Sequence, residues 1–288
     1  MNNGIYAKND VEIAWCPGCG NYGIRNIMLK VFTELGIPKE QLVYCSGIGH
    51  AAKAPQYYDL SYFNGLHGRA LPAASGIKAV NPGLKLIVES GDGDIYGEGG
   101  NHFIHAIRRN PDITVIVHDN MVYGLTKGQA SPTSGLGMKT PIQIDGVWET
   151  PLNPLLLALT MGAPFIARAS ADEPEKTKEI IKAAINHKGF ALVDVFQACV
   201  TFNKINTRKW YKDNTYFLEP GSHDAGNKQA ALAKACEESP WPLGIIYKNE
   251  TKKTFEDNLA PYIGGDRTPL YKRNRKADVV RRLLEEKT

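Results

Sequence analysis

The chain has 288 residues, of which 43% are hydrophobic and 22% are charged, and its formal net charge is +4. These values are typical of a globular protein with one large α/β domain or two smaller ones, and so small a positive excess gives no support for nucleic-acid binding. No apolar run reaches the ~20 residues of a membrane helix, and the polar start MNNGIYAKND does not resemble a signal peptide, so we expect a cytoplasmic protein with no membrane partner.

Predicted helices and strands alternate along the chain. In chain order they are a helix over 23–37, a strand over 41–46, a helix over 72–83, a strand over 84–94 that runs into a Gly-rich turn, a helix over 99–111, a strand over 113–120, a helix then a strand within 157–170, a helix over 173–187 and a strand over 190–200. The strands are apolar throughout, which is typical of a parallel sheet with helices on both faces. We expect this α/β domain over 1–206 and a C-terminal extension over 207–288, ending in a basic patch and a short helix.

Polar residues follow two of the predicted strands. Ligands of parallel sheets bind beyond the carboxyl ends of strands, where Asp92 sits in a Gly-Asp-Gly turn and Asn120 follows the next strand. Their side-chain oxygens, with the Val122 backbone carbonyl, suit Mg²⁺ that holds a diphosphate. A dinucleotide loop is less well supported, because Tyr96 stands where the third glycine of G-x-G-x-x-G would be. An ordinary surface turn with an unrelated asparagine is the remaining interpretation.

The cysteines are more consistent with metal or redox chemistry than with a disulfide framework, which is rare in cytosolic proteins. They are Cys16, Cys19, Cys45, Cys199 and Cys236. The C-x-x-C at residues 16–19 is open to three interpretations: a thioredoxin-like dithiol, half of a zinc site, or two ligands of an iron–sulfur cluster. A zinc ribbon would need a second C-x-x-C, which is absent, and a dithiol would be expected after a clear strand. Cys236 is expected to have no role in a site.

Several separated motifs resemble, in the same order, the beta subunit of the 2-oxoacid:ferredoxin oxidoreductases. They are WCPGCGNYGI, SGIGHAAK, LHGRALPAASGIKAVNPGL, GDGD…HDNMVYGLTKGQASPTS and FQACVTFN. The similarity covers residues 13–206 and continues more faintly to about residue 259. It implies a thiamine diphosphate-binding fold of the diphosphate type. It also implies an enzyme that oxidatively decarboxylates a 2-oxoacid to acyl-CoA and passes electrons to ferredoxin, or runs the reverse carboxylation.

The resemblance also implies the cofactor site. Asp92, Asn120 and the Val122 carbonyl would bind Mg²⁺. The cofactor-binding residues would be Gly91, Asp92, Gly93, Asp94, Asn120, Val122, Gly124 and Leu125.

One [4Fe–4S] cluster is implied as well, with Cys16, Cys19 and Cys199 as ligands. The family's fourth cysteine position is His50 in this sequence, and Cys45 is the other candidate. Cys45 ends an apolar strand, whereas His50 lies in the loop beyond it, and imidazole replaces thiolate in some iron–sulfur centres. We therefore expect His50 as the fourth ligand, with a three-iron or absent cluster as alternatives.

The substrate end of the site is implied by the positions that match Lys53, Leu125 and Lys127. A lysine there would meet the distal carboxylate of 2-oxoglutarate, which favours this acid over pyruvate; solvent exposure or a phosphate or partner contact is the other interpretation. His67 and Arg69 are expected to contact cofactor or substrate, and His67 is equally consistent with a structural histidine.

The resemblance implies partners, because thiamine enzymes place the cofactor between a diphosphate-binding and a pyrimidine-binding domain. This chain carries only the first, so an alpha subunit is expected to supply the second, in an αβ or α₂β₂ assembly. Its further partners would be ferredoxin, the 2-oxoacid and coenzyme A. A non-redox thiamine decarboxylase and a non-catalytic metal or redox module are the rival functions.

Overall fold

The computed structural model describes residues 4–274 and 276–287, and in this part of the chain an eight-stranded sheet is flanked by helices on both faces. The strands are β1 (Leu42–Ser46), β2 (Ser61–Asn64), β3 (Lys85–Gly91), β4 (Ile113–Asp119), β5 (Phe165–Ser170), β6 (Ala191–Phe196), β7 (Thr215–Phe217) and β8 (Trp241–Lys248). The helices are α1 (Gly20–Leu35), α2 (Ala70–Val80), α3 (Gly100–Arg109), α4 (Pro154–Thr160), α5 (Pro174–Asn186), α6 (Arg208–Asn214), α7 (Lys228–Ala235) and α8 (Ala277–Glu285).

The strand order across the sheet is β2-β1-β3-β4-β6-β5-β8-β7. The first six strands in this order run parallel to their neighbours, which confirms the predicted parallel sheet. β8 runs antiparallel to β5, and β7 runs parallel to β8. The sequence pattern did not predict β2, β7 or β8, because these strands lie toward the edges of the sheet and are less continuously apolar.

Helix ends follow local chemistry. α1 ends at Gly36 and α3 at Asn110, each in the left-handed conformation that glycine and asparagine tolerate best. The side chain of Asn153 accepts a hydrogen bond from the Leu156 amide and so caps α4, whose first residue is proline. These boundaries lie close to the predicted ones.

Successive strand residues face opposite layers. Tyr44 and Ile87 pack among residues of α1 and α5, whereas Cys45 and Val88 pack among residues of α2 and α3. Both layers are mainly apolar and both faces of the central strands are buried, so their register is strongly specified.

The segment after β3 differs from the predicted Gly-rich turn. Residues Gly93–Glu98 form a wide helical turn that leads directly into α3, and the Gly99 amide donates to the Asp94 carbonyl at 2.9 Å. Such wide turns occur where a helix accommodates a functional site. Asp92 therefore lies at the start of a helical segment rather than on a loop.

The C-terminal part contributes β7 and β8 to the same sheet. The short terminal helix is present as α8, and none of its residues is buried. The boundary at residue 206 stays a prediction. Within the described residues, every helix is too short or too polar to cross a membrane.

Candidate functional site

The carboxyl ends of β1, β3, β4 and β6 meet at one edge of the sheet, because these four strands are parallel and adjacent. The loops that follow them line two neighbouring cavities. His50, Asn120, Gly124 and Leu125 border both cavities. The predicted convergence of ligands at this edge therefore has a physical basis in the topology.

All the predicted cofactor-binding residues line the first cavity. They are Gly91, Asp92, Gly93, Asp94, Asn120, Val122, Gly124 and Leu125. His67, which we predicted to contact cofactor or substrate, lines it too. The donor set of carboxylate, amide and backbone oxygens is the one that Mg²⁺ prefers.

Asp92 is the central carboxylate of this cavity. It is 2% exposed, and its Oδ2 accepts hydrogen bonds of 2.6 Å from both Ser131 and Thr133. Burial raises its pKa to about 6, although the two hydroxyls oppose that rise. The protein thus keeps a carboxylate where a lone negative charge is unfavourable.

Two more buried carboxyl groups lie near Asp92. Burial, together with repulsion from Asp194 and then Asp92, raises the pKa of Asp119 well above its usual range. The nearby buried cation is Arg168, whose Nε lies 3.2 Å from Asp194 Oδ2. A divalent cation bound by Asp92 would favour its ionised form, so the electrostatics of this edge fit a metal ion.

Asn120 and Val122 lie in a tight turn. The Val122 amide donates to Asn120 Oδ1 at 3.0 Å, and Met121 between them has a φ of 57°. The Asn203 side chain donates to the Asn120 carbonyl at 3.0 Å and so ties this turn to the segment after β6. Both predicted metal-binding positions are therefore held by local hydrogen bonds.

Gly93 is required by close packing. A Cβ atom at this position would lie 2.1 Å from the Tyr123 ring, and one at Gly97 would lie 2.2 Å from the Tyr123 hydroxyl. That hydroxyl lies 2.9 Å from Glu98 Oε2 and 3.1 Å from the Gly93 carbonyl. The glycines thus let the aromatic ring close one side of the cavity.

Asp94 ties the loops of the site together. Its Oδ1 accepts hydrogen bonds from the Ile48 amide at 3.0 Å and the Gly68 amide at 2.8 Å, and its Oδ2 accepts one from Ser90 at 2.8 Å. The His67 Nδ1 also lies 2.8 Å from Oδ1. This carboxylate therefore orders the cavity wall, and its direct contact with a cofactor stays a prediction.

The second cavity has a volume of about 210 Å³ and contains the predicted cluster ligands. Cys16, Cys19, Cys199 and His50 all line it. Cys45 does not line this cavity. It is fully buried within β1, among residues that pack on α2 and α3. The arrangement brings His50, and not Cys45, to the three cysteines.

The thiols of the second cavity influence one another. Burial, opposed by a backbone hydrogen bond at Asn21, raises the pKa of Cys19 to about 11, and repulsion from Cys199 and Cys16 contributes to that rise. Across residues 4–274 and 276–287, no group of three or more His, Cys, Asp or Glu side chains converges to hold a metal ion. The [4Fe–4S] cluster therefore stays a prediction.

The predicted catalytic residues are only partly brought together. Lys127 is exposed and borders the second cavity. Lys53 lines neither cavity, and its Nζ donates to the Ala14 carbonyl at 3.4 Å. Arg69 is exposed and its Nη1 lies 2.7 Å from His102 Nε2, outside both cavities. Cys236 is exposed at the end of α7.

Sequence reasoning assigned no role to the hydroxyl residues of the segment 131–134 or to Tyr123. Ser131 and Thr133 contact Asp92 although they lie 39 and 41 residues away from it in the chain. The run Ser-Pro-Thr-Ser is only a weak signal, because the hydroxyls of serine and threonine commonly bond to nearby backbone groups. It does not indicate which carboxylate they contact.

Gly93→Ala tests the packing of this cavity wall. We expect the added methyl group to displace the Tyr123 ring and to lower the free energy of unfolding by about 1–3 kcal/mol, measured by chemical denaturation. Gly100→Ala is the matched control, because a Cβ there meets nothing within 4 Å and alanine favours the helix. Equal stability of Gly93→Ala and the wild type would contradict close packing of Gly93 against the Tyr123 ring.

Comparisons with known proteins agree with the geometry. The family model described as "Thiamine pyrophosphate enzyme, C-terminal TPP binding domain" matches residues 44–195. The family model for the C-terminal region of the pyruvate ferredoxin oxidoreductase beta subunit matches residues 199–263. The first match covers more than half of the chain and includes the strand ends that carry Asp92 and Asn120.

Relatives match over most of their length. The 2-oxoacid:ferredoxin oxidoreductase 1, subunit beta, of Aeropyrum pernix is 44% identical over 278 residues, which cover 92% of this chain and 85% of the relative. The 2-oxoglutarate synthase subunit KorB of Archaeoglobus fulgidus is 41% identical over 252 residues, which cover 83% of this chain and 93% of the relative. One similar solved structure is the 2-oxoglutarate:ferredoxin oxidoreductase from Magnetococcus marinus with 2-oxoglutarate, coenzyme A and succinyl-CoA bound. It superimposes on this chain with a TM-score of 0.90 at 38% sequence identity. The superposition covers 99% of this chain and 96% of the chain in that structure.

Proposed function

This chain belongs to the beta subunits of the 2-oxoacid:ferredoxin oxidoreductases, and from that premise we propose that it works with an alpha subunit to convert 2-oxoglutarate and coenzyme A to succinyl-CoA and CO₂. The electrons released would pass one at a time through a [4Fe–4S] cluster to ferredoxin, and the reverse carboxylation uses the same groups. We further propose a cytoplasmic location.

The observation that carries this proposal is the shared wall between the two cavities. Asn120, Gly124 and Leu125 border both the cavity that contains Asp92 and the cavity that contains the three cysteines. Thiamine diphosphate, when bound, supplies the nucleophilic carbon for decarboxylation. A one-electron acceptor in the adjacent cavity suits an oxidative outcome, whereas a non-redox decarboxylase would have no use for it.

The chain's own residues would hold the cofactor by its diphosphate. Asp92, Asn120 and the Val122 carbonyl would bind Mg²⁺, and the glycines of residues 91–93 allow close approach of the backbone. The pyrimidine end would be held by the alpha subunit, against which we expect part of the extension over 207–288 to pack.

The choice of substrate rests on the relatives. The relatives named for 2-oxoglutarate and the solved structure with that acid bound support 2-oxoglutarate. The family model that matches residues 199–263 is named for pyruvate ferredoxin oxidoreductase, which makes pyruvate the second candidate.

Anaerobic purification of the chain with its co-purifying partner tests the activity. We expect ferredoxin reduction that requires a 2-oxoacid, coenzyme A, thiamine diphosphate and Mg²⁺, with a higher kcat/KM for 2-oxoglutarate than for pyruvate. A preference for pyruvate would overturn the proposed substrate. Release of CO₂ without reduction of an acceptor, from a protein free of iron, would overturn the redox function itself.

Cysteine variants test the cluster ligands. We expect Cys16→Ser, Cys19→Ser and Cys199→Ser each to lose iron and acid-labile sulfide, since each removes a thiolate from the second cavity. Cys45→Ala is the control and should retain the iron content and EPR spectrum of the wild type. His50→Ala should alter that spectrum. If Cys45→Ala altered the EPR spectrum and His50→Ala did not, the fourth ligand would be Cys45.

Lysine variants test recognition of the distal carboxylate. If Lys53 or Lys127 binds it, alanine at that position should lower kcat/KM for 2-oxoglutarate by about tenfold to a hundredfold and leave pyruvate turnover unchanged. Lys228→Ala, at the exposed start of α7, is the matched control. Equal losses on both acids would remove the carboxylate role from that lysine. The position of Lys53 outside both cavities makes Lys127 the better candidate within this chain.

A further inference from the structure

Three hydroxyl groups of one loop converge on Asp92 and on the turn that carries Asn120 and Val122. They belong to Ser131, Thr133 and Ser134, here called the hydroxyl clamp, and each residue is buried. None of the cofactor-binding or cluster-binding roles assigned to this chain involves them.

We propose that the hydroxyl clamp positions the Mg²⁺-binding groups of this chain. The inference rests on the proposed function, because the metal concerned is the Mg²⁺ of thiamine diphosphate. The clamp residues are positioning residues, since they contact the metal-binding side chains and turn and are not themselves expected to bind the metal.

The first contact orients the Asp92 carboxylate. Ser131 and Thr133 both donate to the same oxygen, Oδ2, at 2.6 Å. Within the described residues, no side chain is hydrogen-bonded to Oδ1 of Asp92. Two donors on one oxygen fix the rotation of the carboxylate and keep the other oxygen available to a cation.

The second contact joins the ends of β3 and β4. Thr133 Oγ1 lies 2.9 Å from Asp119 Oδ1 as well as 2.6 Å from Asp92 Oδ2. Asp119 Oδ1 in turn accepts a hydrogen bond from the Met121 amide at 3.2 Å. One threonine therefore links the carboxylate after β3 to the turn after β4.

The third contact holds that turn from its other side. The Ser134 hydroxyl donates to the Met121 carbonyl at 2.6 Å and accepts from the Ser131 amide at 2.8 Å. Met121 lies between Asn120 and Val122 and has a φ of 57°, a conformation that costs energy for a side chain of its size. The clamp thus contacts Asp92 directly and holds, through Met121, the turn that carries Asn120 and Val122.

Mg²⁺ demands near-ideal octahedral geometry, so small errors in ligand position weaken binding. Loss of groups that orient metal ligands typically costs about tenfold to a hundredfold in metal affinity. The clamp should accordingly affect Mg²⁺ affinity more than it affects the stability of the fold.

The test is a calorimetric titration. Mg²⁺ is titrated into the complex of this chain with its partner subunit, in the presence of thiamine diphosphate, and the Kd for Mg²⁺ is measured. We expect Thr133→Val, which keeps the shape but removes the hydroxyl, to raise the Kd for Mg²⁺ about tenfold to a hundredfold. Thr133→Ser should restore binding to near the wild-type value. Ser134→Ala should raise the Kd although both bonds to Asp92 remain.

Thr177→Val is the matched control. Thr177 is fully buried, its hydroxyl donates to the Ser170 carbonyl at 2.6 Å, and it lines neither cavity. We expect it to lower the Tm of the metal-free complex as much as Thr133→Val does, with no change in Mg²⁺ affinity. An equal rise in the Kd for Mg²⁺ in Thr133→Val and Thr177→Val would show a general structural effect and would overturn the proposed role of the hydroxyl clamp.

The outcomes separate the two proposals. If the wild-type complex binds no Mg²⁺ with thiamine diphosphate, the proposed function fails. If the wild-type complex binds Mg²⁺ and the Kd of the Thr133→Val variant is within twofold of the wild-type Kd, the proposed function stands and the proposed role of the hydroxyl clamp is wrong. Should Thr133→Val fail to fold, Ser131→Ala and Ser134→Ala take its place and are judged by the same Kd criterion.

Discussion

The parallel pairing of β3 with β4 is the constraint on which the site depends. The pairs run from Leu86 opposite Ile113 to Gly91 opposite His118, so Asp92 leaves the sheet beside Asp119, and Asn120 follows directly. Both strands are buried on both faces and cannot slip by one residue without exchanging the side chains that face the two helix layers. The geometry of the proposed metal-binding groups is therefore set by the hydrophobic core rather than by the loops alone.

This placement has an electrostatic cost. Asp92, Asp119 and Asp194 are buried near one another, and Arg168 forms an ion pair with Asp194. Burial and mutual repulsion raise the pKa of Asp92 and Asp119, so ionising Asp92 costs free energy in the metal-free protein. Hydroxyl donors offset part of that cost, and a divalent cation would offset more. Folding and metal binding are then linked, because a cation that binds only the native state stabilises it.

The features that sequence reasoning predicted are those that short segments determine. Apolar strands and helix-stopping residues predicted the central parallel sheet, and the position of His50 in the loop beyond a strand predicted its place beside the cysteines. The contact of Thr133 with Asp92 was not predictable, because 41 residues separate them and several other carboxylates were available. The direction of the Arg69 side chain was not predictable for a related reason: its neighbour in the motif, His67, faces the cavity, whereas Arg69 turns toward His102 on α3.

The turn that follows β4 connects the two cavities mechanically. Asn120 borders both, its carbonyl accepts a hydrogen bond from Asn203 in the segment beyond Cys199, and its side chain accepts one from the Val122 amide. A displacement of this turn would therefore move a proposed metal ligand and a wall of the cysteine cavity together. Ser134 holds this short turn on one side and Asn203 holds it on the other, so these two contacts restrain the wall that the two cavities share.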